Sequence, residues 1–272
     1  MDKIPVTVIV PVKNEETKLP LCLEQLRRFS QVMVVDSSST DNTPAIAKSF
    51  QAEYHNFEWN GKFPKKRNWA LRNISIKNDW VLFLDADEIL TPEFQNELAE
   101  KIKNPQINGY WITYLNHFMG KRLRFGDQMK KLPLFRKGTA EFEKIEEDSW
   151  SNLDMEIHEH PIVEGLTGTI KSPVIHNDYK GLEHYISKHN AYSGWEAKRY
   201  IQLQKSGFSG LTWRQKLKYQ LISTGLLPFV YFMGSYVFKL GFLDGMPGYY
   251  LARYKANYFF QIQTKIRELK QA

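Results

Sequence analysis

The stretch WVLFLDADEIL, residues 80–90, decides how the chain is read. Trp80 is followed by four large apolar residues, Val81 to Leu84, and then Asp85, Asp87 and Glu88 place three carboxylates within four positions. A short apolar run of this kind is how a strand covered on both faces reads. Asp85 and Asp87 are separated by one residue, so in extended backbone they point the same way. Two like charges held together need a cation or donors between them, and one divalent ion bound to a diphosphate meets that need. The alternative is a helix start, because Thr91, Pro92 and Glu93 follow and acids favour the positive end of a helix.

Two more buried strands lie upstream. IPVTVIVPV (residues 4–12) is β-branched and nearly continuous, and QVMVVD (31–36) ends in Asp36. Between them Leu19, Leu23 and Leu26 recur at helical spacing, and DSSSTDNTP after the second strand has the composition of a helix cap with Pro44 in the first turn. Residues 66–76 again look helical. Strand and helix alternate, so a parallel sheet with helices on both faces is the simplest α/β solution. In such sheets ligands bind beyond the carboxyl ends of the strands, and here those ends carry VKNEE, DSSSTD and DADE. From about residue 108 short strands (GYWITYLNHF, KLPLFRKG, GTIKSPVIHN) alternate with charged loops, and after His184 the pattern is helical.

At 272 residues and 42% hydrophobic composition the chain can bury one large core, or one core and an appendage. Its single cysteine, Cys22, excludes an intramolecular disulfide, and MDKIPVTVIVPVKNEE has no basic stretch leading into a signal-length apolar run. The expectation is a protein of the reducing cytoplasm. Net charge is +7 but uneven: residues 198–272 carry 12 Lys/Arg against Asp244 and Glu268, or +10, which leaves the first 197 residues with 25 against 28, or −3. A basic tail beside a near-neutral body implies an anionic surface as partner for the tail.

Four motifs in order, VIVPVKNEE, VVDSSSTDNT, KKRNWAL and VLFLDADE, resemble the nucleotide half of family 2 glycosyltransferases. The resemblance covers about residues 4–180 and implies the GT-A fold, a Rossmann-like mixed sheet. It sets a catalytic domain at 1–182, with a nucleotide half to about 107 and an acceptor half from about 108, followed by a helical, membrane-interfacial region at 183–272. The carboxylates then resemble the DxD element that holds Mn²⁺ or Mg²⁺ on a sugar-nucleotide diphosphate. Carried over, Pro11 and Glu15 line the nucleotide pocket, Asp36 accepts a hydrogen bond from uracil, Arg67 lies near the base or diphosphate, Asp85 faces the ribose or metal, and Asp87 is the direct metal ligand. The family often has glycines in the second motif where this chain has Ser38 and Asn42.

Inverting transfer needs a base for the acceptor hydroxyl and positive charge for the leaving diphosphate. MEIHEHPIVEG (155–165) is similar to the HE element of the branch containing lipopolysaccharide-core β-1,4-glucosyltransferases, which makes Glu159 the base, with Asp154 and Glu156 as competitors. His176 in SPVIHND resembles the histidine that completes metal coordination in many GT-A enzymes, and an imidazole suits Mn²⁺ better than Mg²⁺. Arg136 in LPLFRKG resembles an element near acceptor or diphosphate. Each has a plainer reading: Asp36 as a turn residue, Arg67 and Arg136 as solvated charges, residues 155–165 as a charged loop, His176 as a hydrogen-bonded structural residue.

Residues 219–238, YQLISTGLLPFVYFMGSYVF, lack any charge but contain polar and helix-breaking residues, which fits a segment lying in a membrane interface better than one spanning it. GFLDGMPGYYLARYKANYFF (241–260) resembles the C-terminal element of the same glucosyltransferase branch. The expectation is an inverting enzyme on the inner face of the cytoplasmic membrane, moving glucose from UDP-glucose to a lipid-linked glycan such as lipopolysaccharide core. Two rivals are a polyprenyl-phosphate glycosyltransferase and a non-catalytic membrane-surface binder. A nucleotidyltransferase would call for a glycine-rich loop after the first strand, and PVKNEETKLP has no glycine. Long aromatic runs between the tail's charges favour a bilayer over nucleic acid.

Overall fold

The computed structural model describes residues 3–145, 161–209 and 211–271. Two compact units form, one from Met1–Leu115 with Met129–Asn177, the other from Asn116–Gln128 with Asp178–Ala272.

In the first unit, β1 (Ile4–Val12), α1 (Leu19–Gln25), β2 (Phe29–Asp36), α2 (Thr43–Ser49), β3 (Glu53–Asn56), α3 (Lys66–Asn73) and β4 (Trp80–Phe83) alternate as the apolar runs predict. Then come β5 (Glu88–Ile89), α4 (Pro92–Lys101), β6 (Ile107–Phe118), β7 (Lys121–Arg122), β8 (Met129–Arg136), β9 (Ala140–Phe142), β10 (Pro161–Val163) and β11 (Leu166–His176). The main sheet runs β3-β2-β1-β4-β8-β6-β11-β5. Its β1–β2, β2–β3 and β1–β4 pairs are parallel, while β8 is antiparallel to β4 and β5 antiparallel to the end of β11.

Alternation along β1 explains why the parallel half has a core on each side. Val6, Val8, Val10 and Val12 join Val34 and Leu82 against α1, α2 and α4, whereas Ile9 joins Met33, Val35, Val81 and Phe83 against Ala70 of α3. A strand buried on both faces has few polar positions, so these three read as nearly continuous apolar runs, with buried Thr7 of β1 donating to Gln31 of β2. Helix α4 is capped by Thr91, whose side chain accepts from the Phe94 N–H, with Pro92 in the first turn. The cap therefore belongs to Thr91, and Asp85 and Asp87 are left for other work.

The second unit holds α5 (Leu182–Ser206), α6 (Trp213–Thr224), α7 (Leu227–Phe232), a π-helical turn at Met233–Phe238, a 3₁₀ turn at Gly241–Asp244 and α8 (Met246–Gln271). Ala197, Tyr200, Tyr219, Ile222, Ile262 and Ile266 give it a core of its own. Residues Asn116–Gln128 join these helices, although the sequence suggested a single cut near 182. Buried Asp244 accepts from the backbone N–H groups of Arg124 and Phe125, and Asp127 accepts from the Tyr231 hydroxyl and the Lys239 ammonium. The uncharged run 219–238 is not one helix: Gly225 ends α6 at φ +80° and Pro228 starts the next. Among the described residues no helix is long and apolar enough to cross a membrane.

Candidate active site

Strands β1, β2 and β4 deliver their following loops to one edge of the sheet. The first two loops are laced together. The Asn14 N–H donates to Ser39 Oγ, the Thr40 N–H to Asn14 Oδ1, the Glu15 N–H to Thr43 Oγ1 and the Glu16 N–H to Asp41 Oδ2. Ser38 adopts φ +53° and Asn14 φ +54°, so the loop takes the left-handed turn without a glycine. Asn42 sits at an ordinary φ of −77°.

Asp36 is turned inward at the end of β2 and is fully buried. Its carboxylate accepts from the Ser39 hydroxyl at 2.5 Å, the Ser39 N–H at 3.2 Å and the Tyr54 hydroxyl at 2.9 Å. Those three donors take up much of a carboxylate's capacity, so Asp36 serves the shape of the loop instead of offering a free acceptor. Pro11, paired with Val35 inside the sheet, and half-buried Glu15 lie in the same loop region.

The loop after β4 carries the charge. Asp85 Oδ1 accepts from Arg67 at 3.2 Å, and the Lys131 ammonium donates to Asp85 Oδ2 at 3.1 Å and to Glu88 Oε1 at 2.6 Å. Glu88 Oε2 in turn accepts the Asp85 N–H at 3.1 Å, which closes the turn. Burial alone would raise the Asp85 carboxyl, but Lys131 and Arg67 outweigh it and hold that group well below the usual carboxylate range. Burial pushes the Glu88 carboxyl up to about 8 against the pull of Lys131. Lys131 itself is raised above the ordinary lysine value: burial opposes its charge, and Asp85 and Glu88 overcome that. Its ammonium also lies 4.7 Å from the centre of the buried Tyr114 ring.

Asp87 faces differently. Its Oδ1 lies 3.7 Å from His176 Nε2, and its Oδ2 lies 3.4 Å from the Lys18 ammonium. The two-residue strand β5 pairs Glu88 with His176, which is why the imidazole reaches the residue next door. A divalent ion of the Mg²⁺ or Mn²⁺ kind is commonly held by one or two protein ligands and completed by substrate phosphates and water. An oxygen and an imidazole nitrogen at this separation fit that pattern. No group of three or more His, Cys, Asp or Glu side chains gathers for a metal among the described residues. Of the three expected ligands, Asp87 and His176 are brought together, and Asp85 is given to Arg67 and Lys131.

A family model for glycosyl transferase family 2 matches residues 7–153, more than half of the chain. The chain belongs to that family. It is 26% identical over 276 residues to the lipopolysaccharide core biosynthesis glycosyltransferase LpsC of Rhizobium meliloti, covering 97% of this chain and 92% of the relative. Among solved structures it resembles S. aureus TarS 1-349, at 17% identity and TM-score 0.44 over 100% of this chain and 92% of that one. It also resembles glucosyl-3-phosphoglycerate synthase from Mycobacterium tuberculosis in complex with Mn²⁺ and UDP-glucose, at 22% identity and TM-score 0.33 over 41% and 43%.

The family 2 chain departs from its sequence reading at Arg136. Antiparallel pairing sets Arg136 opposite Trp80, at the far end of β4 from Asp85. There it stacks 4.6 Å from the Trp80 ring and donates to the carbonyls of Ile107 and Asn104. The same pairing carries Lys131, five residues earlier, to the carboxylate end, so the cation at the site comes from the other end of this strand. Lys131 was legible only as one of two adjacent lysines opening a strand that ends in Arg136, and Lys18 likewise lacked a signal that set it apart from a solvated charge, whereas Glu88 stood out only as the third carboxylate of the strand-end cluster. Glu159, Glu156 and Asp154 lie outside the described residues. A cavity of about 600 Å³ lined by Lys3, Arg27 and Gln51 lies apart from the strand-end carboxylates and has none in its wall, among the described residues.

Proposed function

We propose that this family 2 chain is a metal-dependent inverting glycosyltransferase that moves glucose from UDP-glucose to a lipid-linked glycan of the lipopolysaccharide-core kind, working at the inner face of the cytoplasmic membrane. The observation that carries the donor half is the approach of Asp87 to His176 beside an Asp85 already neutralised by Arg67 and Lys131. With the Glu88 carboxyl raised to about 8, Arg67, Lys131 and Lys18 outnumber Asp85 and Asp87 by one at neutral pH, so the cluster favours the negatively charged diphosphate that accompanies a divalent ion. When bound, such an ion supplies positive charge to the leaving diphosphate.

Asp87 and His176 hold that ion in this reading. Arg67 sits beside the diphosphate, and Asp85, fixed by Lys131, orients it. The Pro11–Glu15 and Ser37–Thr43 loops frame the nucleoside, with Asp36 holding the second loop in shape. The acceptor oxygen attacks the anomeric carbon, the bond from that carbon to the UDP oxygen breaks, and the hydroxyl proton passes to a carboxylate, for which we assign Glu159. Attack opposite the leaving group inverts the anomeric configuration. The acceptor class is supported by the resemblance to LpsC over nearly the whole chain.

UDP release from a panel of UDP-sugars, with Mn²⁺, Mg²⁺ or chelator, tests the donor half. Glucose should lead the panel, and activity should vanish with chelator. Turnover unaffected by chelator would remove the metal from the reading. Offering lipopolysaccharide-core and polyprenyl-phosphate acceptors side by side decides between the two acceptor classes.

A further inference from the structure

The segment 226–250 in the second unit is packed inside out. Apart from Leu227, the buried residues along it are small or polar: Ser235, Gly241, Asp244, Gly248 and, one turn on, Ala252. A Cβ added at Gly241 would come within 2.6 Å of the Ser235 carbonyl oxygen, and one at Gly248 would collide with the Gly241 carbonyl. The backbones therefore approach as closely as they can, and the cavity left between them is only about 20 Å³. The large apolar side chains point out instead, with Phe238 79%, Phe229 66% and Met246 57% exposed.

This is not a shortage of core. In the same unit Tyr200, Tyr219, Ile262 and Ile266 are buried in the ordinary sense. The inversion is also regular. Leu226, Val230 and Val237 are exposed as well, and Met246, Tyr250, Arg253 and Phe260 follow one exposed face of α8. Water-facing proteins seldom display a run of large apolar side chains of this density. Close packing through small residues with large apolar groups outward is the arrangement helices use where the surroundings are themselves apolar.

Charge selects the occupant. Between residues 198 and 272 the two acids are Asp244, which is buried, and Glu268, against 12 Lys/Arg that include exposed Arg214, Lys216 and Arg253. A second copy would bring the same positive excess against this one. An anionic bilayer offers acyl chains to the phenylalanines and phosphates to the cations in one surface. We propose that residues 226–250 form a bilayer-docking surface whose outward side chains, led by Phe229, Phe238 and Met246, enter the acyl boundary of an anionic membrane. The proposal deepens the functional reading by naming the surface that meets the membrane, but its test needs no turnover.

The full chain is sedimented with vesicles of phosphatidylcholine alone and of phosphatidylcholine with 30–40% phosphatidylglycerol (about the anionic content that gives a strong surface potential), beside F229S/F238S and a charge variant R214Q/K216Q/R253Q. The wild type should partition to anionic vesicles at least about 10-fold better than to neutral ones, and each variant should lose about 10-fold or more. Folding is checked by circular dichroism, and M246S replaces the phenylalanine pair should that pair fail to fold. Equal partition to both vesicles, or unchanged partition of the variants, overturns the proposal. So does a stable wild-type dimer in analytical ultracentrifugation that F229S/F238S dissociates without any vesicle binding. Vesicle binding with no UDP-sugar turnover on any acceptor would leave the surface standing and reject the enzyme reading.

Discussion

Asp87 Oδ1 and His176 Nε2 face each other at 3.7 Å although they lie 89 positions apart in the sequence (176 − 87). Their meeting depends on the pairing of β5 with the last residues of β11. Asp87→Ala should abolish Mn²⁺-dependent UDP binding and lower turnover by roughly 100-fold or more with the fold intact. His176→Ala should cost more with Mn²⁺ than with Mg²⁺, because imidazole prefers the transition metal. Calorimetric titration of UDP in each metal reads both, and equal losses in the two metals would take His176 out of the ligand set.

Lys131 holds two carboxylates, one of them Glu88, whose side chain is 1% exposed. Lys131→Ala leaves that group buried without its cation and should destabilise the first unit by about 2–4 kcal/mol, below the full cost of breaking a buried pair because Lys131 is itself partly exposed. Adding Glu88→Gln should return part of the loss. Urea unfolding of the single and double variants measures it. A Lys131→Ala protein as stable as wild type would mean the pair contributes no net stability.

Glu159→Gln should keep UDP binding and lose transfer by roughly 100-fold or more, since an amide cannot take the acceptor proton. Glu156→Gln is the comparison. Loss confined to Glu156→Gln would move the base to that residue.

Cys22 lies on the buried face of α1, and burial, with the Glu88 charge adding to it, pushes its thiol up from 9.0 to about 12. The native chain should resist iodoacetamide at pH 8.5 and take up one equivalent in urea. Because the folded pKa is raised, this group's contribution is fully present below the unfolded value near 9 and is lost as pH rises from there toward 12. Above 9 the unfolded chain releases a proton that the folded one keeps, so stability falls by up to about 1.4 kcal/mol per pH unit from this thiol. Cys22→Ala should lack that component of the slope. Identical slopes for the two proteins between pH 9 and 11 would contradict the assignment.

The apolar runs at 4–12, 31–36 and 80–84 announced β1, β2 and β4, because a strand covered on both faces has few polar positions to blur the pattern. Local chemistry was legible for the same reason: Thr91 and Pro92 start α4 within their own turn, and Asp87 reaches the sheet edge by ending the strand it follows. What the tertiary structure decided was register and partner. Antiparallel pairing of β8 on β4 sent Arg136 to Trp80 and Lys131 to Asp85, and nothing within KLPLFR distinguishes the two ends. Two residues of β5 recruited His176. Along residues 226–250 the sequence by itself marked an apolar, uncharged stretch, but only close backbone approach at Gly241 and Gly248 determined that its large side chains face outward. Composition and periodicity are local quantities, whereas which cation meets which carboxylate depends on strands far apart in the chain.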